Sequence, residues 1–201
     1  NEESLFLSPG KYSFLLTDNA GNSRIVIENI GTTSATKHDD EFKAVWIAYL
    51  AFKTSGYTEQ EFTKHIETMF DDVVSMNMNA VVVHVRPFGD AMYESNYFPW
   101  SRYVSGKQGK DPGFDPLEIM IKEAHERGLE FHAWLNPYRV LNVDNLKLLS
   151  YNHLYYRKPE LFVKYGKQYY FNPGLDETRQ FLNKVVADIV TRYDVDALHF
   201  D

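Results

Sequence analysis

The sequence predicts an α/β fold in which parallel strands are joined through helices. From residue 42 onward, short apolar segments typical of buried strands alternate with longer amphipathic segments typical of helices. Strands that alternate with helices in this way pair in parallel through right-handed crossovers. Each helix reaches the next strand through a few residues, whereas the segments that follow the strands are much longer, notably 87–113 and 137–174. Ligands bind at the carboxyl ends of the strands in such folds, so these long segments indicate where function lies.

Residues 1–40 have a different character from the rest of the chain. Two apolar segments, Tyr12–Leu16 and Arg24–Glu28, flank an Asn/Gly-rich turn and predict a β-hairpin. The polar residues 31–41 that follow are typical of a linker. We therefore predict two units, residues 1–40 and residues 41–201, and assign no chemistry to the first.

The second unit is predicted to contain four strands and three helices. The predicted strands span 43–50, 80–86, 129–136 and 195–200, and the predicted helices span 58–77, 115–128 and 176–193. Thr58 and Glu61 form the capping box that begins the first helix. Asp115 is the N-cap of the second helix, and Gly128 is its C-terminal stop.

Composition excludes several classes of function. The 201 residues carry a net charge of −7 without a Lys/Arg cluster, which argues against a nucleic-acid partner. No apolar run is long enough to cross a bilayer. Cysteine is absent, which excludes disulfides, thiolate catalysis and cysteine-based zinc sites. No Gly-x-Gly-x-x-Gly or Walker-type loop is present, so no nucleotide cofactor is predicted.

Polar side chains lie on one face of three predicted strands, towards their carboxyl ends. Period-two alternation gives this face the following residues: His84, Arg86, His132, Trp134, Asn136, His199 and Asp201. Any single histidine could be a hydrogen-bonded core residue. The set is harder to explain by packing, because an unpaired buried charge costs several kcal/mol. We therefore predict a wet, concave site.

The segment after the second strand is rich in aromatic residues, within a chain that is 15% aromatic. Rings with polar tips beside carboxylates suit a ligand with apolar CH faces and many hydroxyl groups, which is a carbohydrate. Most of these rings can equally pack the segment onto the rim of the fold. Trp100 and Trp134 are the two that we assign to sugar binding.

A metal site is the rival chemistry. Imidazole and carboxylate ligands suit zinc, and the candidates are His84, His132, His199, Asp90 and Asp201. No His-x-His or His-Glu-x-x-His spacing supports such a site, so we predict no metal. A metal-dependent hydrolase or deacetylase remains an alternative, as does a carbohydrate-binding module without catalysis.

Several blocks of the chain resemble one family, the glycosyl-hydrolase-like 10 proteins. The blocks run in order from about Phe42 to Asp201: "VHVRPFGDAMYESNYFPWS", "GKQGKDPGFDPL", "EAHERGLEFHAWLNPYRV", "FNPG" and "RYDVDALHFD". The resemblance implies a TIM-barrel glycoside hydrolase of bacteria that acts on a poly- or oligosaccharide. It also implies an extracellular protein or a cell-surface lipoprotein. Relatives continue beyond Asp201, so we expect the barrel to be truncated here after its fourth strand.

The resemblance carries over to individual positions. The matching residues are Arg86, Asp90, Trp134, Asn136, Tyr138, Arg139, His199 and Asp201. From its place at a strand exit, Asp201 is the predicted catalytic carboxylate, and Arg86 is expected to keep it ionised. Asp90, Asn136, Tyr138 and Arg139 are expected to hold sugar hydroxyls.

Glycoside hydrolysis needs a second carboxyl group, and we expect it on a later strand. Asp90 or Glu94 could replace it only from a mobile loop, which is a poor platform for a general acid. We therefore expect this chain alone to be inactive. The unpaired edges of the first and fourth strands predict association, such as a homodimer.

Overall fold

The chain is described here from a computed structural model, which gives the backbone of residues 10–17 and 23–30 and all of residues 41–52 and 54–201. Contacts divide the chain into two compact units after Glu41. In the first unit, β1 (Gly10–Thr17) pairs with β2 (Ser23–Ile30) in antiparallel register. The predicted hairpin is confirmed, whereas its predicted turn and the linker over 31–40 lie outside the described residues.

The second unit is built on a parallel sheet of four strands in the order β3-β4-β5-β9. Its elements, in chain order, are β3 (Ala44–Ile47), α1 (Glu59–Ser75), β4 (Ala80–Arg86), α2 (Arg102–Ser105), α3 (Pro116–Glu126), β5 (Glu130–Leu135), β6 (Arg139–Leu141), β7 (Phe162–Tyr165), β8 (Gln168–Phe171), α4 (Asp176–Arg192) and β9 (Ala197–Phe200). Each predicted strand and helix is present within its predicted bounds. The predicted α/β class with parallel pairing is confirmed.

Helix α1 shows how local sequence and packing agree. The Thr58 hydroxyl accepts a hydrogen bond from the Glu61 N–H at 3.3 Å, and the Glu61 carboxylate accepts one from the Thr58 N–H at 2.8 Å. This reciprocal pair satisfies two backbone donors that the first turn of a helix leaves open. Phe62, Ile66 and Phe70 recur at helical spacing and are fully buried. The capped helix therefore buries one apolar stripe.

One face of the parallel sheet forms the core under the helices. Val83, Val85, Phe131 and Ala133 have no exposed surface, and Leu135 is 1% exposed. The other face carries the polar and aromatic side chains described below. Strands β3 and β9 are the edges of this sheet. The expected association of copies through these edges stays a prediction.

The segment 137–174 contains a second sheet that the sequence did not predict. Three antiparallel strands lie in the order β6-β8-β7. Each has only three or four residues, too few for alternation to stand out. Leu141, Tyr169 and Phe171 are buried on one face of this sheet. Among the described residues, no helix is long and apolar enough to cross a membrane.

Candidate active site

Aromatic rings from four strands meet on the uncovered face of the parallel sheet. The His84 and Trp134 rings are stacked, with centroids 3.7 Å apart. The Trp46 ring meets the Trp134 ring edge-on at 5.0 Å and the His199 ring edge-on at 4.3 Å. Trp46 and His199 belong to β3 and β9, the two edge strands, which would be about 14 Å apart in a flat sheet. The sheet therefore curves towards this face, which we call the concave face.

The register of the strands explains this meeting of rings. His84 of β4 lies opposite Trp134 of β5, and Trp134 lies opposite His199 of β9. Paired residues of parallel strands point to the same side of the sheet, so the three side chains form one row. Trp46 itself remains 53% exposed. Together with Trp46, the row forms what we call the aromatic wall, in which Trp46 is exposed, Trp134 and His199 are half-buried and His84 is 1% exposed.

Asn136 is held at the end of this row by His84. The Asn136 Nδ2 atom lies 2.6 Å from the His84 Nε2 atom, and both residues are buried. Burial lowers the pKa of His84 to about 3, with smaller contributions from the charges of Arg139 and Arg86. His84 is therefore neutral near pH 7, and with Nε2 accepting from the amide its proton lies on Nδ1. No hydrogen bond to the Asn136 Oδ1 atom is found among the described residues, and Asn136 is 3% exposed.

Arg86 does not lie where simple alternation predicted it. One extra residue of β4 between His84 and Arg86 shifts the register, so that Arg86 lies opposite Leu135 rather than opposite Asn136. Such a bulge moves the following side chain to the other side of the strand. Leu135 belongs to the face under the helices, and Arg86 therefore shares that face. The prediction that Arg86 faces the hollow beside His84 is wrong.

The guanidinium of Arg86 is enclosed by the protein. Its Nη1 atom donates to the Asn136 carbonyl at 2.9 Å, and both Nη atoms lie 3.2 Å from the Pro137 carbonyl. The Phe98 ring lies 4.2 Å from the guanidinium carbon. Only 1% of the residue is exposed, and burial lowers its pKa to about 10. These contacts fix the end of β5; they do not include the Asp201 carboxylate that Arg86 was expected to hold.

Arg139 is the arginine that borders the concave face. Its guanidinium is half-buried, 5.8 Å from the centre of the Phe88 ring. Its charge helps to lower the pKa of His84 and opposes the rise that burial causes in the pKa of Tyr49. The Tyr49 ring in turn meets the His84 ring edge-on at 5.5 Å. The positive charge of the site therefore comes from the segment after β5.

Asp201 continues the ladder beyond the end of β9. Its backbone N–H donates to the Leu135 carbonyl at 3.1 Å. Alternation places its side chain on the face of His199. Asp201 is exposed, and no hydrogen bond or ion pair to its carboxylate is found within the described residues. The structure thus places a solvent-accessible carboxylate at the carboxyl edge of the concave face.

The remaining predicted residues have contacts within the loops. Asp90 is 2% exposed and its Oδ2 atom accepts from Gln108 at 3.2 Å, while burial raises its pKa. Half-buried Trp100 uses its carbonyl to accept from the Gly109 N–H at 2.8 Å. Half-buried Tyr138 packs against the core. Within the described residues, no hydrogen bond, ion pair or ring contact joins these three side chains to the aromatic wall or to Asp201.

Trp46 and Tyr49 are the site residues that sequence reasoning missed. Trp46 follows from extending the alternation to the first predicted strand, where it stands among apolar residues. Tyr49 does not follow from it, because it lies three residues after Trp46 in a short turn beyond the strand. The metal candidates do not converge: no group of three or more His, Asp or Glu suited to a metal is found among the described residues. The His132 Nε2 atom, for instance, lies 3.0 Å from the Glu130 Oε2 atom.

Comparison with known proteins places this geometry in a family. The family described as Glycosyl hydrolase-like 10 matches residues 41–201. The chain belongs to this glycosyl hydrolase-like 10 family. Among curated proteins, it is 45% identical over 168 residues to glycosyl hydrolase YngK of Bacillus subtilis strain 168, covering 81% of this chain and 33% of YngK. It is 36% identical over 140 residues to glycosyl hydrolase DigH of Escherichia coli K12, covering 65% of this chain and 32% of DigH. The chain thus spans about a third of the length of these relatives.

Solved structures agree on the fold of this glycosyl hydrolase-like 10 chain. A maltogenic α-amylase of Thermotoga neapolitana superposes with a TM-score of 0.52 at 17% identity, over 79% of this chain and 38% of the amylase. An α-L-fucosidase of Paenibacillus thiaminolyticus superposes with a TM-score of 0.52 at 19% identity, over 80% of this chain and 23% of the fucosidase. At these identities the likeness concerns the fold alone, which is consistent with part of a TIM barrel.

Proposed function

We propose that the chain supplies one wall of the active site of a glycoside hydrolase that acts on a poly- or oligosaccharide. The observation that carries the proposal is the concave face itself. It combines an aromatic wall, of which Trp46 is 53% exposed, with an exposed carboxylate, Asp201, in a chain that belongs to a glycosyl hydrolase-like family. Flat rings beside polar groups suit the apolar and hydroxyl-bearing sides of a sugar.

In this proposal Asp201 is the carboxylate that attacks or stabilises the anomeric carbon, or that activates water. A second carboxyl group must lie about 5–5.5 Å away for retention or about 6.5–9.5 Å away for inversion. Neither acidic residue of the first long loop suits that role. Asp90 is buried against Gln108, and Glu94 lies 3.4 Å from Arg192 on α4. We infer that the second carboxyl group belongs to a longer protein, because the chain spans only about a third of the length of these relatives.

The other residues position the sugar in this proposal. Neutral His84 holds the Asn136 amide so that its oxygen accepts a hydroxyl, and Arg139 donates from the rim. Trp46 and Trp134 offer ring faces or edges to the sugar. Arg86 supports the strand end through two carbonyl groups instead of touching the substrate. The extracellular location implied by the family resemblance is part of the same proposal.

Hydrolysis of a panel of glycans by a longer protein that contains this chain tests the proposal. We expect Asp201→Asn to reduce turnover by at least about a thousandfold, since it removes a group that acts on the reacting carbon. Asp72→Asn, an exposed substitution on α1, is the matched control and should leave turnover unchanged. Undiminished turnover in Asp201→Asn would contradict the assignment. Binding of glycans without hydrolysis by the unsubstituted protein would indicate a carbohydrate-binding module.

A further inference from the structure

The small sheet has one open face that adjoins the candidate site. In its antiparallel register, Tyr170 lies opposite both Arg139 and Val163, and Tyr165 lies opposite Gln168. Directly opposite residues share a face of a sheet, and side chains two residues apart along a strand do so as well. These five residues therefore form one surface, which we call the outer track.

The two faces of the small sheet differ sharply in burial. On the outer track, Tyr165 is 80% exposed and Val163 is 41% exposed. Gln168 and Tyr170 are half-buried, and the Tyr170 hydroxyl donates to the Gln168 side-chain oxygen. That bond orients a ring and an amide side by side at the surface. The outer track is therefore partly ordered but has no covering layer among the described residues.

Arg139 joins the outer track to the concave face. Its guanidinium borders Phe88, and its charge acts on His84 and Tyr49. Neighbouring strands lie about 4.8 Å apart, so the track runs about 10 Å from Arg139 across Tyr170 to Val163. Two further residues along β7 carry it about 7 Å onward to Tyr165. The track thus begins at the rim of the candidate site and leads away from it.

We propose that the outer track binds the sugar units of a glycan chain that extend beyond the units held on the concave face. This inference rests on the proposed function and narrows its substrate class to oligosaccharides or polysaccharides longer than a disaccharide. Two tyrosine rings provide apolar faces, and the side chains of Arg139 and Gln168 provide hydrogen bonds for hydroxyl groups. Ring faces beside hydrogen-bonding side chains match the apolar and hydroxyl-bearing sides of a sugar, and the track continues from the site proposed to bind one.

Calorimetric titration of the full chain tests the outer track, with cellohexaose, chitohexaose and maltohexaose and the three matching disaccharides as probes. We expect the unsubstituted chain to bind one hexasaccharide more tightly than its disaccharide. Tyr165→Ala and Tyr170→Ala should each weaken hexasaccharide binding roughly tenfold, which is the scale of removing one aromatic anchor, and leave disaccharide binding unchanged. Tyr165→Phe, which keeps the ring, should retain most of the affinity.

Tyr151→Ala is the matched control, because Tyr151 is 92% exposed and lies outside the outer track. It should change neither affinity. If Tyr165→Ala and Tyr170→Ala weakened hexasaccharide and disaccharide binding equally, or weakened neither, the proposed role of the outer track would be wrong. The proposed function would be unaffected by that result. If the unsubstituted chain bound no sugar on the panel, the proposed function and the track would fail together. Urea unfolding of each variant confirms that a lost affinity is not a lost fold.

Discussion

The two faces of the parallel sheet are made by alternate residues of the same strands, yet they differ in burial and polarity. On the face under the helices, Phe131 is fully buried. On the concave face, Trp46 keeps half of its surface exposed, and the His84 Nδ1 and Trp134 Nε1 atoms are buried without a partner among the described residues. A buried polar atom left unpaired costs stability, so its presence needs an explanation. The comparison teaches that alternate residues of the same strands can build a closed apolar face and a partly exposed face of polar and aromatic groups, and the proposed function uses the second.

The largest expected effect contrasts an aromatic residue from each face. Phe131→Ala should lower the free energy of unfolding by about 3–5 kcal/mol, because it leaves a cavity in the core. Trp46→Ala should lower it by less than about 1 kcal/mol, since the ring is 53% exposed, and should weaken glycan binding instead. Urea unfolding and calorimetric titration measure the two quantities. A loss of stability in Trp46→Ala equal to that in Phe131→Ala would remove the contrast.

A second contrast concerns the two arginines at the ends of the strands. Arg86→Met removes charged hydrogen bonds to the buried Asn136 carbonyl and the half-buried Pro137 carbonyl and should cost about 2–3 kcal/mol of stability. Arg139→Met should cost less than about 1 kcal/mol and weaken glycan binding, because this guanidinium is only half-buried at the rim. Thermal and urea unfolding of both variants measure the difference. A larger loss of stability in Arg139→Met than in Arg86→Met would contradict this contrast and indicate that Arg86 belongs to the binding surface.

The smallest of these effects is a pH dependence that originates on the concave face. The pKa of His84 is about 3 in the folded chain and about 6.5 when unfolded, so only the unfolded chain takes up this proton between these values. His84 therefore destabilises the fold as the pH falls below about 6.5. Between pH 7 and pH 5 its contribution is about 2 kcal/mol. Arg139, Arg86 and Tyr49 surround the ring, and none of them offers it a compensating negative charge near pH 7.

His84→Gln isolates this contribution from that of the other titrating groups. The free energy of unfolding should fall less between pH 7 and pH 5 in this variant than in the unsubstituted chain, by about 2 kcal/mol. Urea unfolding at the two pH values gives the difference. The same decrease in both proteins would show that His84 is able to take up its proton while folded.

Local signals made the helices and the parallel strands predictable. Thr58 and Asp115 mark helix starts through side chains that accept bonds from the first turn. Gly128 ends the second predicted helix because its φ of +69° lies in the left-handed region, which favours glycine. Apolar periodicity then separates strand from helix. These features depend on neighbours in sequence, so the sequence alone is enough to find them.

The parts that were missed depend on pairing between distant segments. The extra residue before Arg86 shows itself only against β5, because nothing local to the strand distinguishes a bulge from regular alternation. The strands of the small sheet are stabilised by one another and are too short to show a pattern. Period-two alternation could have placed Trp46 on the polar face, but its contact with His199 depends on the curvature of the whole sheet. The sequence therefore predicted where the site lies in the fold better than it predicted which residues form the site.

The most direct test is to record NMR signals from residues on both faces of the parallel sheet during a titration with sugar. The indole N–H signals of Trp46 and Trp134, assigned by Trp→Phe variants, report on the concave face in NMR spectra, and the backbone amides of Phe131 and Ala133 provide the comparison. Titration with the hexasaccharide that binds most tightly should shift both indole signals and leave signals from the core under the helices unchanged. Saturable binding that leaves both indole signals in place would contradict the central claim.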